Sequence, residues 1–163
     1  MWVRLPPRAP RFKLCFNIIM VKDNTNDHLQ VPNKEDNKTL KKVLILDDDR
    51  WFTDLIAEML ATKQMSVTTT ENGVDGLKEI MKSDFDVILC DMMMPGLTGD
   101  MFYKAVERAK PSMCNRFIFM SGHRDKKEIV DFINSVGKKI LWKPFDLYQL
   151  LEAINTLEIS NRG

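Results

Sequence analysis

Apolar and polar positions alternate along the chain with two different periods from about residue 41 onward. Short runs of β-branched and other apolar residues predict strands, whereas apolar residues that recur every three or four positions predict amphipathic helices. The predicted strands cover residues 43–47, 65–70, 87–91, 116–121 and 139–143, and the predicted helices carry their apolar positions within 52–60, 74–81, 101–106, 129–136 and 147–157. The pattern therefore predicts five strand–helix units in succession.

The predicted strands are almost wholly apolar, which is typical of a parallel sheet covered by helices on both faces. Because crossovers between parallel strands are right-handed, five such units predict a doubly wound α/β fold with one five-stranded parallel sheet. The boundary residues agree with this division, since Asn72 suits the start of the second helix, Pro111 closes the third, and Gly137 follows the fourth. We expect one domain over residues 41–160.

Residues 1–40 differ in composition from the rest of the chain. The segment 23–37 consists mainly of Asn, Asp, Lys, Thr and Gln, which bury too little apolar surface to order a chain, so we expect a flexible or disordered extension. Cationic residues before position 14 also permit a basic arm, although three prolines there favour an unstructured leader. Residues 43–163 carry fifteen Lys and Arg against nineteen acids, which argues against direct nucleic-acid binding.

The three cysteines, Cys15, Cys90 and Cys114, are odd in number and lack a C-x-x-C spacing. This pattern predicts neither a disulfide framework nor a zinc site, and it is typical of a reducing, cytoplasmic location. No stretch approaches the roughly 18 consecutive apolar residues that a membrane span requires. We therefore expect no membrane-spanning segment.

Polar side chains that can take part in catalysis or binding lie where the predicted strands end. They are Asp47, Asp48 and Asp49 after the first strand, Asp91 after the third, Ser121 at the end of the fourth and Lys143 at the end of the fifth. Because ligands of open parallel sheets bind beyond the carboxyl ends of the strands, these side chains are candidates for one site. Carboxylates at close quarters repel one another unless a cation lies among them, and oxygen-only ligands at a solvent-facing edge suit Mg²⁺.

The isolation of Asp91 makes it the best candidate nucleophile. Asp47 and Asp48 would hold the metal, while attack of the Asp91 carboxylate on a phosphoryl group would give an acyl phosphate. Lys143 would neutralise phosphoryl oxygens, and the Ser121 hydroxyl would donate a hydrogen bond to one of them. The sequence thus predicts a phosphoryl-accepting site at one edge of the sheet.

Four segments, VLILDDD, VILCDMMMPGLTG, FIFMSG and LWKPF, resemble in order and spacing the receiver domains of two-component response regulators. The resemblance spans residues 42 to about 158. It implies a flavodoxin-like (βα)₅ fold that receives a phosphoryl group from a histidine kinase or a histidine phosphotransfer protein. It also implies that Asp91 is the phosphoacceptor, that the backbone carbonyl of Met93 is a further Mg²⁺ ligand, that Pro95 and Gly96 shape the loop, and that the Lys143–Pro144 bond is cis.

The resemblance further implies a switch in which Ser121 moves toward the phosphoryl group and changes the face formed by the fourth helix, fifth strand and fifth helix. Family members usually carry an aromatic residue three positions before the lysine, and this chain has Ile140 there. Trp142 is a poor substitute by strand position. Because no further domain follows the last helix, we expect signalling in trans to a downstream protein effector, and that face also permits a homodimer.

Two other functions are open from the residues. In a haloacid-dehalogenase-like phosphatase, Asp47 would be the nucleophile and Asp49 the general acid, but such enzymes need another acidic cluster after the lysine. A pseudo-receiver would keep the fold as a binding module without phosphorylation, as the Ile140 substitution permits. The favoured prediction is a phosphoacceptor regulator that catalyses only its own phosphorylation and slow dephosphorylation.

Overall fold

The structure is a computed structural model that describes residues 40–161, with side chains described up to residue 157. The expectations about residues 1–39 lie outside the described residues. The five strands are β1 (Lys41–Leu46), β2 (Met65–Thr70), β3 (Val87–Asp91), β4 (Phe117–Ser121) and β5 (Lys139–Trp142). The five α-helices are α1 (Arg50–Ala61), α2 (Gly73–Lys82), α3 (Gly99–Ala109), α4 (Lys127–Val136) and α5 (Leu147–Asn161).

The five strands form one parallel sheet in the order β2-β1-β3-β4-β5. The predicted doubly wound α/β fold is therefore confirmed. Since all strands run in the same direction, their carboxyl ends meet at one edge, with β1, β3, β4 and β5 side by side. Among residues 40–161, no helix is long and apolar enough to cross a bilayer.

Alternate residues of the central strands supply two hydrophobic cores, one on each face of the sheet. On one face Leu44, Ile88 and Phe119 pack with residues of α2, α3 and α4. On the other face Ile45 and Leu89 pack with residues of α1 and α5. All five residues of β3 and of β4 are buried, which explains why these strands read as continuous apolar runs.

The helix ends follow the chemistry of their boundary residues. The Asn72 side chain accepts a hydrogen bond from the amide of Asp75 at the start of α2, as predicted. Asp49 caps α1 in the same way by accepting from the amide of Phe52. Gly137 ends α4 with a φ of 60°, a conformation that glycine adopts without a Cβ clash.

One element was not predicted from the sequence. Pro111–Arg116 form a 3₁₀-helix between α3 and β4, which buries Met113 and Cys114. The proline begins this helix because its fixed φ and missing N–H are tolerated in a first turn. As a result α3 ends at Ala109 and β4 begins at Phe117, one residue later than predicted.

Replacing Gly99 with alanine is expected to destabilise the fold. The added Cβ would lie 2.5 Å from the carbonyl oxygen of Asp91 and 2.9 Å from the Cα atom of Met92, and both are backbone atoms that cannot rotate away. We expect the free energy of unfolding to fall by about 2–3 kcal/mol in urea denaturation. Gly122→Ala is the matched control, because no atom lies within 4 Å of its added Cβ. Equal losses in both variants would contradict the steric explanation.

Candidate functional site

The ammonium group of Lys143 lies at the centre of the charged edge of the sheet. Its Nζ atom donates to Asp47 Oδ2 at 2.5 Å and to Asp91 Oδ1 at 2.7 Å. Lys143 follows β5, whereas Asp47 follows β1, and β3 and β4 lie between these two strands. The four-carbon side chain of lysine spans this distance, so the Lys143 ammonium contacts both Asp47 and Asp91.

Both carboxylate oxygens of Asp91 have donors. Oδ1 accepts from Lys143, and Oδ2 accepts from the backbone amide of Met93 at 2.5 Å. The following loop is closed by a hydrogen bond from the Leu97 amide to the Pro95 carbonyl, and Gly96 adopts a φ of 78° within it. Proline and glycine suit this turn because one restricts φ and the other allows a positive φ. The loop therefore holds the Met93 amide against the buried carboxylate.

Asp47 is 1% exposed, and its second oxygen, Oδ1, accepts from the backbone amide of Asp49 at 3.1 Å. Burial raises the pKa of Asp47, and the hydrogen bonds from Lys143 and from the Asp49 amide only partly offset this effect. Burial alone would lower the pKa of Lys143, but its bonds to Asp47 and Asp91 outweigh burial and raise it. One ammonium thus serves two carboxylates, which favours an additional cation at the site.

The side chains at the charged edge of the sheet offer the kind of ligands that Mg²⁺ prefers. Asp47, Asp48, Asp91 and the Met93 carbonyl offer only oxygen atoms, and Asp48 and Met93 are exposed at the rim. Within the described part of the chain, no three Asp, Glu, His or Cys side chains converge closely enough to enclose a metal. Mg²⁺ does not need such a cage, since it binds through one or two carboxylates and keeps several waters. The residues present therefore fit this ion.

Ser121 lies at the end of β4, beside Asp91 at the end of β3, and is fully buried. Its hydroxyl oxygen accepts a hydrogen bond from the backbone amide of His123 at 3.1 Å. Its carbonyl oxygen accepts from the backbone amide of Lys143 at 2.8 Å. The serine side chain thus fastens the start of the β4–α4 loop, while the His123 side chain is exposed.

Ile140 and Trp142 lie on the same face of β5. Both are half-buried and pack against the core beneath α2, α3 and α4, while Leu141 packs on the opposite core. The guanidinium of Arg124, in the β4–α4 loop, lies 5.7 Å from the centre of the Trp142 ring. A groove of about 390 Å³ beside β5 is lined by Arg124 and Trp142 together with residues of α5. The contact with Arg124 was not predicted from the sequence.

Two further residues at the site were missed or underestimated. Phe52 was predicted only as an apolar helix position, yet its ring centre lies 4.5 Å from Lys143 Nζ. Asp49, which the sequence left without a firm role, caps α1. The signal for this cap is an aspartate shortly before the apolar helical pattern that includes Phe52, because an N-cap side chain bonds to a backbone amide two or three positions later. The Lys143–Pro144 bond is cis, as the resemblance implied.

Known proteins resemble this chain in sequence and in structure. The Escherichia coli DNA-binding transcriptional regulator NtrC is 30% identical over 105 residues, which cover 64% of this chain and 22% of NtrC. The chain thus spans less than a quarter of that relative's length. The Vibrio cholerae chemotaxis response regulator CheY4 matches with a TM-score of 0.66 and 28% identity over 73% of this chain and 99% of CheY4.

A third likeness shows the fold alone. The Thermotoga maritima response regulator protein TrrA, in complex with Mg²⁺ and BeF, has a TM-score of 0.63 and 23% identity, covering 72% of this chain and 99% of TrrA. The family model of the response regulator receiver domain matches residues 43–155. With this match over more than half of its 163 residues, the chain belongs to the family of response regulator receiver domains.

Proposed function

We propose that this chain is a phosphoacceptor of two-component signalling. Asp91 receives a phosphoryl group from a histidine kinase or a histidine phosphotransfer protein, and the chain catalyses only its own phosphorylation and its slow dephosphorylation, in which water hydrolyses the acyl phosphate to inorganic phosphate. The observation that carries the proposal is the Asp91 carboxylate, which is 5% exposed and bound by the Lys143 ammonium and the Met93 amide. Membership of the receiver family supports the same function.

In the proposed transfer, an oxygen of Asp91 attacks phosphorus and the phosphorus–nitrogen bond of a phosphohistidine breaks. The bonding electron pair goes to the imidazole nitrogen, and the product is an acyl phosphate. Lys143 lies 2.7 Å from Asp91 and neutralises charge on the phosphoryl oxygens. Asp47, Asp48, Asp91 and the Met93 carbonyl would hold Mg²⁺, which would supply further positive charge to offset the charge of the phosphoryl group.

Signal output is proposed to begin at Ser121. Its hydroxyl releases the His123 amide and donates to a phosphoryl oxygen, which frees the start of the β4–α4 loop. Because Arg124 in this loop stacks on Trp142, the movement alters the surface formed by α4, β5 and α5. We propose that a downstream protein effector reads this surface in trans. Self-association through the same face stays a prediction.

The rival functions have less support from the geometry. As the general acid of a phosphatase, Asp49 would need a free carboxyl group, whereas its side chain caps α1 by accepting from the Phe52 amide. A pseudo-receiver would be favoured by Ile140 alone, since it lacks the usual aromatic ring. The pairing of both Asp47 and Asp91 with the Lys143 ammonium favours an active phosphoacceptor over both alternatives.

Acetyl phosphate with Mg²⁺ is expected to add one phosphoryl group to the protein, and Asp91→Asn is expected to abolish the modification. The reason is that only Asp91 provides the attacking oxygen. Intact-mass spectrometry of freshly treated protein is the measurement. Asp49→Asn is the matched control, because asparagine retains the helix cap. Full labelling of Asp91→Asn combined with none of Asp47→Asn would support the phosphatase instead.

Mg²⁺ is expected to raise the melting temperature of the unphosphorylated protein, because it relieves the repulsion between the buried carboxylates of Asp47 and Asp91. Asp48→Asn is expected to weaken Mg²⁺ binding about tenfold, since it removes one anionic oxygen ligand. Isothermal titration calorimetry and thermal melts measure the two effects. Asp49→Asn should bind Mg²⁺ as the unmodified protein does. Identical affinities in both variants would remove Asp48 from the metal site.

The fluorescence of Trp142 is expected to change when BeF₃⁻ binds, because Arg124 withdraws from the indole ring. The measurement uses a background in which Trp2 and Trp51 are replaced by phenylalanine. Ser121→Ala should abolish the spectral change while BeF₃⁻ still binds, whereas the control Ser135→Ala should retain it. Ser135 is exposed and its hydroxyl donates to Phe132 within α4. A full spectral change in Ser121→Ala would refute this route of output.

A further inference from the structure

We propose that Phe52 is a positioning residue for Lys143, holding the ammonium at the phosphoacceptor site through the face of its ring. This inference rests on the proposed function, because the positioned cation matters only if Asp91 is phosphorylated. It also assigns a role to a side chain that the sequence pattern placed simply on the apolar face of a helix.

Among the described residues, Lys143 Nζ has three neighbours that can stabilise a cation. Two are the carboxylates of Asp47 and Asp91, and the third is the Phe52 ring, whose centre lies 4.5 Å away. A cation within about 6 Å of a ring centre is attracted by the negative face of the ring, and partial burial strengthens this attraction. The Lys143 side chain is 23% exposed, so the contact lies in such an environment.

Phe52 is fixed at its backbone and at its ring. Its backbone amide donates to Asp49 Oδ1 at 3.1 Å, and the Asp49 amide in turn donates to Asp47 Oδ1 at 3.1 Å. On the other side, the Phe145 ring meets Phe52 edge to face at 5.7 Å and an angle of 81°. Since Phe145 follows Lys143 by two residues, the ring is braced by the same loop that carries the lysine.

The contact has a use at the moment of phosphorylation. When Asp91 becomes an acyl phosphate, one of the two anionic partners of Lys143 changes its charge and position. A lysine side chain has four flexible carbons and would gain freedom at that point. The attraction between the Phe52 ring and the Lys143 ammonium does not depend on the state of Asp91, so the ammonium stays where the phosphoryl oxygens arrive.

A second lysine–phenylalanine pair in the same domain provides an internal comparison. Lys104 Nζ lies 5.5 Å from the Phe132 ring centre, but its side chain is 54% exposed and pairs with Asp100 on the surface of α3. The ammonium of Lys104 pairs with Asp100, and neither Asp47 nor Asp91 is among its partners in the described part of the chain. Phe132 is therefore a matched control for changes made at Phe52.

A purely structural role for Phe52 would predict a different response to ring chemistry. The side chain packs against the core beneath α1 and α5, so truncation to leucine would remove apolar contacts whatever the ring does for Lys143. Fluorination separates the two roles. Each added fluorine weakens the negative face of the ring while changing its size little, so packing is retained as the attraction for the ammonium decreases.

The experiment places mono-, di- and trifluorinated phenylalanine at position 52 of the full chain. We expect the BeF₃⁻ affinity and the rate of labelling by acetyl phosphate to fall stepwise, by about fivefold over the series. The same substitutions at Phe132 should leave both quantities unchanged. In the metal-free protein, proton NMR should show the Lys143 methylene signals beside the ammonium shifted upfield by the ring, and Phe52→Tyr should keep this shift.

The outcomes separate the two proposals. Equal affinities and rates across the series at position 52, in a protein that is labelled normally, would overturn the role of Phe52 and leave the proposed function intact. If the unmodified protein is not labelled at all, the proposed function fails, and Phe52 then has no phosphoryl transfer to assist. Unshifted Lys143 signals in the metal-free protein would overturn the ring contact independently of any labelling.

Discussion

The sharing of one ammonium by two buried carboxylates is the interaction on which the charged edge of this domain depends. Asp47 and Asp91 end neighbouring strands and are almost completely buried, so each would be costly without a partner. Lys143 supplies a partner to both, and its own burial is compensated by the two hydrogen bonds. Because the site has two negative charges and one positive charge, it favours binding of a further cation and of an anionic group that binds together with such a cation.

The sheet order makes this arrangement achievable. Asp91 ends β3 and Lys143 directly follows the edge strand β5. The strand between them, β4, ends in the small Ser121, and the long lysine stem passes from the edge of the sheet toward its centre. The close approach of α3 to the end of β3 also depends on a small residue, because Gly99 lies against the Asp91 carbonyl and leaves no room for a Cβ. Small residues around a few charged ones thus let the backbone bring Asp47, Asp91 and Lys143 together.

The sequence predicted those parts of the fold and site that follow from periodicity and topology. Apolar runs predicted the strands because their burial on both faces suppresses alternation, and strand-end acids met because parallel strands end at one edge. The 3₁₀-helix at Pro111, the ring of Phe52 and the stacking of Arg124 on Trp142 were not predictable in this way. Each depends on a loop conformation or a side-chain direction, which hydrophobic spacing does not encode.

A loop conformation and a side-chain direction also determine how the charged edge of the sheet is connected to the surface at β5. Ile140 and Trp142 alternate with Leu141 along β5, so the isoleucine and the tryptophan share one face, and Trp142 is opposite Ser121 in the strand register. The Trp142 ring therefore lies nearer to Ser121 than position 140 does, beneath the Arg124 guanidinium of the loop that Ser121 fastens. A change in the hydrogen bonding of Ser121 has a short path to Trp142, because Arg124 is only one residue beyond His123. The absence of an aromatic residue at position 140 thus does not remove a ring from this face of β5, because the ring of Trp142 lies two residues further along the strand, opposite Ser121.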